Sequence, residues 1–554
     1  MLEKLSNHNE WLNYYNNRCI KGYISRKEKE DLKKFIDNKE YINIANNIYN
    51  YNFTYPLKKE ISKMGKNKKR VVYIYTREEN YIFKFISSKL YKYEYLFSNN
   101  LYSYRKNLLV KDAIKKISRF DNKDNMYIYK VDISNYFNSI DIDILISILD
   151  KYIKDDIELL NLLKRVLLNN KVIYKDNIIN DKKGVMGGVP ISAFLANIYL
   201  KEVDDYYAQN NVDYFRYADD IIIFAHSSTE LESYTHTLKE FINKYKLTIN
   251  SDKEHYYYPN DKFEFLGFSF YKDTIDLSDS SIKKIKGRIK RSARGFRRWM
   301  IKHNAEYEYT LKAMNRKFNN KFYKVKDSND LNWSLWYFPL ISTSKSLNII
   351  DKYMQENLRY IVCGKYNKRN FRKVPYEILK DCNYKPLVHE YYEYNKFKLV
   401  PLCDCININL YNMYQDIPSL DNGEVNILNG KPFDEFKSIC KSYLNEDTNR
   451  YILVYRGDYI GELGLRTSLD DYLINKGSQI FYKIRSTKRR NGYGYKILEL
   501  GLKEAKKIGF NQVRVNCSDT NLASKKIIIK NGGIEDIVSY KSKTGTSTSY
   551  IIKI

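Results

Sequence analysis

Two adjacent carboxylates interrupt a stretch that is otherwise apolar and strand-forming: Phe215-Arg216-Tyr217-Ala218-Asp219-Asp220-Ile221-Ile222-Ile223-Phe224. The mostly apolar runs 212–215 and 221–225 predict a strand, a tight turn and a returning strand, with both acids at the bend. In a chain with 55 tyrosines, Tyr-x-Asp-Asp alone is also what an ordinary acidic hairpin turn looks like. It becomes a candidate site only if other segments supply a further acid, a pocket and a basic track.

The further acid stands at the end of the apolar run Tyr127-Ile128-Tyr129-Lys130-Val131-Asp132. Tyr136 and Phe137 follow as the chain turns toward a helix over 142–152. Unpaired burial of a carboxylate is costly, so an acid at the end of a core strand holds a metal or caps the next helix. Asp143 or Ser139 is available as the cap, which favours the metal for Asp132. Near this acid the chain predicts a basic hairpin, 69–75 and 81–85, which carries Arg70 and Lys84 and is either a cover for a triphosphate or an ordinary surface hairpin. A turn at 98–107 carries Arg105, whose planar fork pairs with two oxygens. Gly184, Gly187 and Gly188 permit close backbone approach, and Ser192 opens an apolar helix. A helix over 230–245, Lys253, and a compact hairpin at Phe263-Glu264-Phe265-Leu266-Gly267-Phe268 complete this half.

The basic track is localised. The chain carries 95 Lys+Arg against 66 Asp+Glu, a net +29 that calls for a polyanionic partner. Residues 281–400 hold 28 basic and 10 acidic side chains, so one segment owns most of the excess. Residues 281–300 alone contain nine Lys/Arg and no acid. At helical spacing Lys283, Lys286, Lys290, Arg294 and Arg297 share one face, while Ile282, Ile285, Ile289, Phe296 and Trp299 tend to another. Gly287 and Gly295 weaken that helix, and a second basic loop follows at 360–370. Seven irregularly spaced cysteines, the absence of an apolar leader and the lack of any long apolar run point to a reduced, cytoplasmic protein without a membrane partner. At 554 residues, three or four domains are expected.

In this order the motifs resemble the fingers and palm of prokaryotic reverse transcriptases across about residues 65–270. The resemblance implies that Asp132 and Asp219 hold two Mg²⁺, with the backbone carbonyl of Ile133 completing a shell and Asp220 as a secondary ligand. It makes Phe137 the aromatic gate against a ribose 2′-hydroxyl, and Gly188 and Ser192 part of the nucleotide pocket. Lys253 falls near the leaving pyrophosphate, and Phe265 and Gly267 at the primer grip. Arg105, with Lys84 or Arg70, would cover the phosphates. Partners would be an RNA template, a DNA primer or product, and dNTPs, with residues 281–400 as a thumb. Where the family commonly has Pro-Gln-Gly, this chain has Met186-Gly187-Gly188, which loosens the expectation of strict template dependence. Some relatives of the abortive-infection and phage-defence type polymerise without a template from a protein tyrosine, a second reading alongside templated synthesis. A third is an RNA-binding scaffold whose working activity lies elsewhere in the chain.

That elsewhere is residues 410–554. A hairpin around Arg456-Gly457-Asp458, a strand over 479–485, a glycine loop, a helix to Ile508 and a strand over 513–517 follow one another. Glycines between a strand and a helix leave backbone N–H groups free for a pyrophosphate. This order resembles the GNAT N-acetyltransferases. The resemblance implies acetyl-CoA held by the loop Arg489-Arg490-Asn491-Gly492-Tyr493-Gly494, by Ile484 and Arg485 on the preceding strand, and by Asn521 and Ser524 near the thiol end. The acceptor amine is open, as is the base, for which Glu462, Tyr482 and Tyr540 are candidates. The expected architecture is an α+β multidomain chain. It comprises a helical extension (1–60), fingers and antiparallel palm (61–270), a helical thumb (271–398) and an α/β acetyltransferase (399–554).

Overall fold

The computed structural model describes residues 2–21, 24–50, 52, 54–62, 69–120, 123–323, 332–421, 424–445, 447–467, 478–542 and 545–554. The chain divides into two compact units, Met1–Arg288 with Leu340–Ser346, and Ile289–Pro339 with Leu347–Ile554.

In the first unit, helices His8–Lys21, Arg26–Asp37 and Tyr41–Tyr49 lead into β1 (Leu57–Ser62) and β2 (Lys69–Ile74). These strands pair antiparallel from Leu57↔Ile74 to Ser62↔Lys69. The expected hairpin between 69–75 and 81–85 is therefore corrected: the partner of β2 lies upstream, and Arg77–Lys89 is a helix. Thr76 starts that helix with a capping box, its hydroxyl accepting from the Glu79 N–H at 3.2 Å while Glu79 accepts from the Thr76 N–H. Tyr81, Phe83 and Phe85 alternate like a strand, yet Ile82 and Ile86 are buried too, because the helix is covered on most sides. Trp11 stacks on Phe85 at 4.4 Å from the helices before β1.

Next come β3 (Tyr127–Asp132), β4 (Lys171–Tyr174), β5 (Asn177–Asn180), β6 (Tyr214–Tyr217), β7 (Asp220–Ala225) and β8 (His255–Tyr257). They form two sheets, ordered β2-β1-β4-β5 and β6-β7-β3-β8. In the second sheet β7 reads as a continuous apolar run because both faces are covered. Helix Ser228–Lys244 packs on β3 and β7, while Phe120, Phe215, Phe224 and Phe263 form a contiguous ring cluster. A meander of β9 (Phe263–Phe265), β10 (Phe268–Tyr271) and β11 (Thr274–Leu277) follows. Helix Asp279–Lys302 runs unbroken through Gly287 and Gly295 and carries the chain into the second unit.

The second unit holds helices Tyr307–Phe322 and Lys345–Cys363, then β12 (Lys398–Pro401) and a short pair, β13 (Leu420–Asp421) and β14 (Glu424–Val425). After these come β15 (Thr448–Tyr455), β16 (Asp458–Arg466), β17 (Ile480–Ile484), β18 (Gln512–Ser518), β19 (Ile534–Ser542) and β20 (Gly545–Lys553). They form antiparallel sheets ordered β12-β15-β16-β17 and β18-β20-β19. A main-chain bond from the Gln479 N–H to the Arg514 carbonyl, 2.8 Å, links the two sheets, and no ladder joins β17 to β18 among the described residues. Helix Tyr493–Lys507 covers one face, where a Cβ on Gly501 would stand 2.4 Å from Leu463. Helices Ile408–Gln415 and Phe433–Ser442 cover the other.

Candidate functional site

The acidic hairpin is a two-residue turn, Ala218-Asp219, closed by the pair Tyr217↔Asp220. Ala218 is left-handed, φ 56°, a conformation a side chain disfavours and one that needs outside support. Arg216 provides it. Fully buried, it grips Asp204 through Nε at 2.7 Å and a second nitrogen at 2.5 Å, and also donates to the carbonyls of Asn197 (3.0 Å) and Ala218 (3.3 Å). Tyr214 donates its hydroxyl to the same Asp204 at 3.0 Å. An isolated buried ion pair repays its desolvation only when its remaining groups are satisfied, and here they are.

β3 brings Asp132 directly opposite Asp220, and the Ile133 N–H donates to the Asp219 carbonyl at 2.9 Å. Three carboxylates thus crowd one sheet edge, where like charges face to face are unfavourable. Burial, then the neighbouring Asp132, pushes the Asp219 carboxyl above its ordinary range. Burial pushes Asp220 up to about 6, with Lys130 at 3.8 Å opposing it. Oδ1 of Asp220 is buried without a hydrogen bond. Asp132 takes the Lys253 ammonium at 2.5 Å and the Asn250 amide at 3.4 Å. No three carboxylate, imidazole or thiol side chains among the described residues close a metal cage by themselves. The donor set nonetheless suits a hard divalent cation that keeps waters and takes substrate oxygens, since the orphaned oxygen and the opposed acids call for positive charge.

Near this edge the glycine loop packs against Phe137, whose ring is linked to Tyr217 of the acidic turn through Tyr104. Gly184, φ 50°, approaches Phe137 so closely that a Cβ would sit 2.4 Å from its carbonyl oxygen, and the Val185 N–H donates to that same oxygen at 2.9 Å. A Cβ on Gly188 would stand 2.9 Å from the Tyr73 carbonyl, and the Tyr73 N–H donates to the Gly187 carbonyl at 2.9 Å. The glycines therefore clamp the loop between β2 and Phe137. Ser192 is buried and donates to the Val185 and Met186 carbonyls, so it fastens the loop instead of meeting a ligand. Arg70 is exposed on β2.

Two expected phosphate ligands are corrected. Lys84 lies on helix Arg77–Lys89 with its ammonium 2.7 Å from Glu28. Arg105 is spent on Glu94 at 2.6 Å and the Ser98 carbonyl at 2.8 Å. At the β9–β10 turn Phe265 is core, and Gly267 holds φ 89° while its carbonyl accepts from the Ser278 N–H and the Ser281 hydroxyl. On helix Asp279–Lys302, Lys283 and Arg294 are exposed and Lys286 and Lys290 half-buried. Arg297 instead caps the last turn of helix Lys345–Cys363, donating to the Ile361 carbonyl at 2.7 Å. The buried face is Ile285, Ile289 and Ala293, whereas Trp299 is exposed.

In the second unit, the strand–loop–helix expected at 479–508 is present as β17, a 3₁₀ turn at Ser486–Lys488 and helix Tyr493–Lys507. Gly492 occupies the cap position with φ 77° and supplies no side chain, leaving the first N–H groups of the helix open. A Cβ on Gly494 would strike Ile527 at 2.5 Å. Arg490 and Asn491 are exposed, Tyr493 and Ile484 half-buried. Arg485 pairs with Asp416 at 2.8 Å, and Arg489 with Asp421, so both guanidiniums brace the loop. Asn521 caps helix Leu522–Lys530 by accepting from the Ser524 N–H, and the Ser524 hydroxyl meets that of Tyr482 at 3.1 Å. Glu462 is corrected as a candidate base: fully buried, it faces Arg450 at 2.8 Å and Lys483 at 3.5 Å. The side chain of Tyr540 lies outside the described residues.

The residues missed from the sequence are Asp204, Arg216, Lys130 and Tyr104. A charged residue inside the apolar run 212–217 was the available signal for Arg216, since such a charge must be paired.

Residues 58–270 match the family profile described as reverse transcriptase (RNA-dependent DNA polymerase). This segment is a reverse transcriptase domain. It contains the three carboxylates, Phe137 and the glycine loop. No curated protein sequence matches the chain. Among solved structures, an apo telomerase from Candida tropicalis, truncated from its C-terminal domain, shares 14% identity at a TM-score of 0.35 over 41% of this chain and 55% of its own. The chain thus spans about half the length of that relative. A telomerase from Candida albicans in complex with a fragment of telomeric RNA shares 13% identity, TM-score 0.33, over 59% and 63%. A GNAT-family acetyltransferase from Streptococcus pneumoniae shares 16% identity, TM-score 0.23, over 29% of this chain and 98% of its own. No helix among the described residues is long and apolar enough to cross a membrane.

Proposed function

We propose that the chain is an RNA-directed DNA polymerase joined to an acetyl-CoA-dependent N-acetyltransferase. The observation that carries the first part is the opposition of Asp132 and Asp220 across β3 and β7, with Asp219 in the adjoining turn and Phe137 linked to that turn through Tyr104. Two Mg²⁺ at such an edge would supply charge to a triphosphate and acidity to a primer 3′-hydroxyl. The chain's own part is to hold the carboxylates in place through Arg216, to keep Lys253 beside Asp132, and to shape the sugar pocket with Phe137 and the glycine loop. RNA as template follows from the family description, and Lys283 and Arg294 supply exposed positive charge for a duplex backbone.

The strand order of the second unit, the parting of β17 from β18, and the glycine loop that opens helix Tyr493–Lys507 support the acetyl-transfer reading. The open N–H groups there suit a pyrophosphate, and the Tyr482–Ser524 hydroxyl pair lies between β17 and helix Leu522–Lys530. The acceptor is an amine. A phage-defence or retroelement setting agrees with the fusion of these activities.

Purified protein with Mg²⁺ and labelled dNTPs, with and without an RNA template–primer, tests the first part. Template-dependent extension lost in Asp219→Ala/Asp220→Ala is the expected result. Label on the protein without template would replace it by untemplated, protein-primed synthesis. Calorimetry with acetyl-CoA tests the second part, and no binding would remove it.

A further inference from the structure

Tyr104 precedes Arg105 in the turn at 98–107, and the fold goes to some length to hold it. Its backbone is left-handed, φ 54°, which a bulky residue adopts only when its surroundings impose it. Those surroundings are fixed on both sides. Ser103 is fully buried, donating its hydroxyl to the Asn197 side-chain oxygen at 2.9 Å while its carbonyl accepts from the Asn197 amide at 2.8 Å. The Tyr102 N–H donates to the Arg216 carbonyl at 2.9 Å, so the same residue that supports the acidic turn also supports this one. Arg105 is locked on Glu94.

Between these anchored neighbours Tyr104 turns outward and stays 43% exposed. Its ring meets Phe137 edge-on at 6.2 Å and Tyr217 at 6.1 Å, which brings it between Phe137 and the acidic turn. The charges of Asp219 and Arg70 both act on its phenol, behind the effect of burial. Its hydroxyl makes no hydrogen bond among the described residues. Across Phe137, Gly187 presents no side chain; a Cβ there would lie 3.8 Å from the Phe137 Cβ. Phe137 thus meets no side chain from Gly187, while Tyr104 and Tyr136 both stand edge-on to its ring.

We propose that Tyr104 is a specificity-determining residue of the nucleotide pocket, its ring lying against the sugar of the incoming nucleotide and closing, with Phe137, the space a ribose 2′-hydroxyl would need. The inference rests on the polymerase reading. The strained backbone then has a purpose, since it aims one side chain into a site that regular structure would not reach.

The test compares Tyr104→Ala and Tyr104→Phe with the wild type in two measurements. One is calorimetric binding of dTTP with Ca²⁺ in place of Mg²⁺. The other is KM and kcat for dTTP and ribothymidine triphosphate, which differ only at the 2′ position, on an RNA template–primer. The alanine variant is expected to weaken dTTP binding and raise its KM about tenfold, with kcat less affected, and to lose about tenfold of the preference for dTTP over its ribonucleotide. The phenylalanine variant keeps the preference. Unchanged binding, or an unchanged dTTP preference in Tyr104→Ala, overturns the inference, as does a loss confined to thermal stability and kcat. Wild-type protein that binds dTTP in a Tyr104-dependent way but extends no primer would refute the polymerase reading and leave the subsite standing.

Discussion

Under the proposed function, the carboxylate edge of β3 and β7 and the glycine loop after β17 would be opposite solutions to binding phosphate-bearing molecules. The first is negative, made of side chains on central strands, and its groups are perturbed: Asp220 is pushed up to about 6 and one of its oxygens is orphaned. It needs a cation before it can meet a phosphate. The second is made of main-chain N–H groups at a helix start, with Arg485 and Arg489 turned to Asp416 and Asp421 as braces. It needs no intermediary. A side-chain site is therefore destroyed by changing one carboxylate, whereas a backbone site is damaged only by changing the path of the chain.

That contrast can be broken in order of expected effect. Asp219→Ala/Asp220→Ala should lower nucleotide incorporation by about three orders of magnitude or more while acetyl-CoA binding is untouched, measured by primer extension and calorimetry on the same preparation. Loss of both together would mean the two sites are not independent. Arg216→Ala leaves Asp204 buried without its partner and should cost about 3–5 kcal/mol in chemical denaturation. Arg216→Met/Asp204→Leu should recover most of the stability but not the activity, because the Ala218 carbonyl still lacks its donor. Gly492→Trp forces a side chain into φ 77° and should weaken acetyl-CoA binding about tenfold, from about 1–3 kcal/mol of strain. The smallest effect is a pH dependence. Asp220 binds its proton more tightly folded than unfolded, so in chelator it makes the fold less stable as pH rises from about 4 through about 6. Asp220→Asn should therefore raise the melting temperature at pH 7 and leave it unchanged below pH 4, and Mg²⁺ should stabilise the wild type more than the variant. A variant that melts lower at pH 7 would contradict the burial of this charge.

Much of the acidic hairpin was legible because strand, turn and strand are local, but only Asp219 sits at the bend where both acids were expected, and Asp220 opens β7 opposite Tyr217. Asp132 was legible as an acid at the end of an apolar strand. What could not be read were the long-range partners. Nothing near Lys84 or Arg105 announces that Glu28 and Glu94 neutralise them. The helix Arg77–Lys89 read as a strand because a helix buried on most sides loses the one-sided stripe that distinguishes it. Tyr104 escaped notice because its importance lies in a backbone angle, which composition does not encode. In the second unit the strands and helices were legible, but the ion pairs that withdraw Glu462, Arg485 and Arg489 from chemistry were not.

The face-to-face placement of Asp132 and Asp220 also sets how this segment can change over time. Side chains alternate across a strand, so gaining or losing one residue inside β3 or β7 would send one acid to the opposite side of the sheet. Between the two strands the glycine loop, Asp204 and Arg216 are held by their own contacts, but the exposed turn of the β4–β5 hairpin is under no such rule. Insertions and deletions should therefore accumulate at that turn, while the length of the two strands stays fixed to the residue.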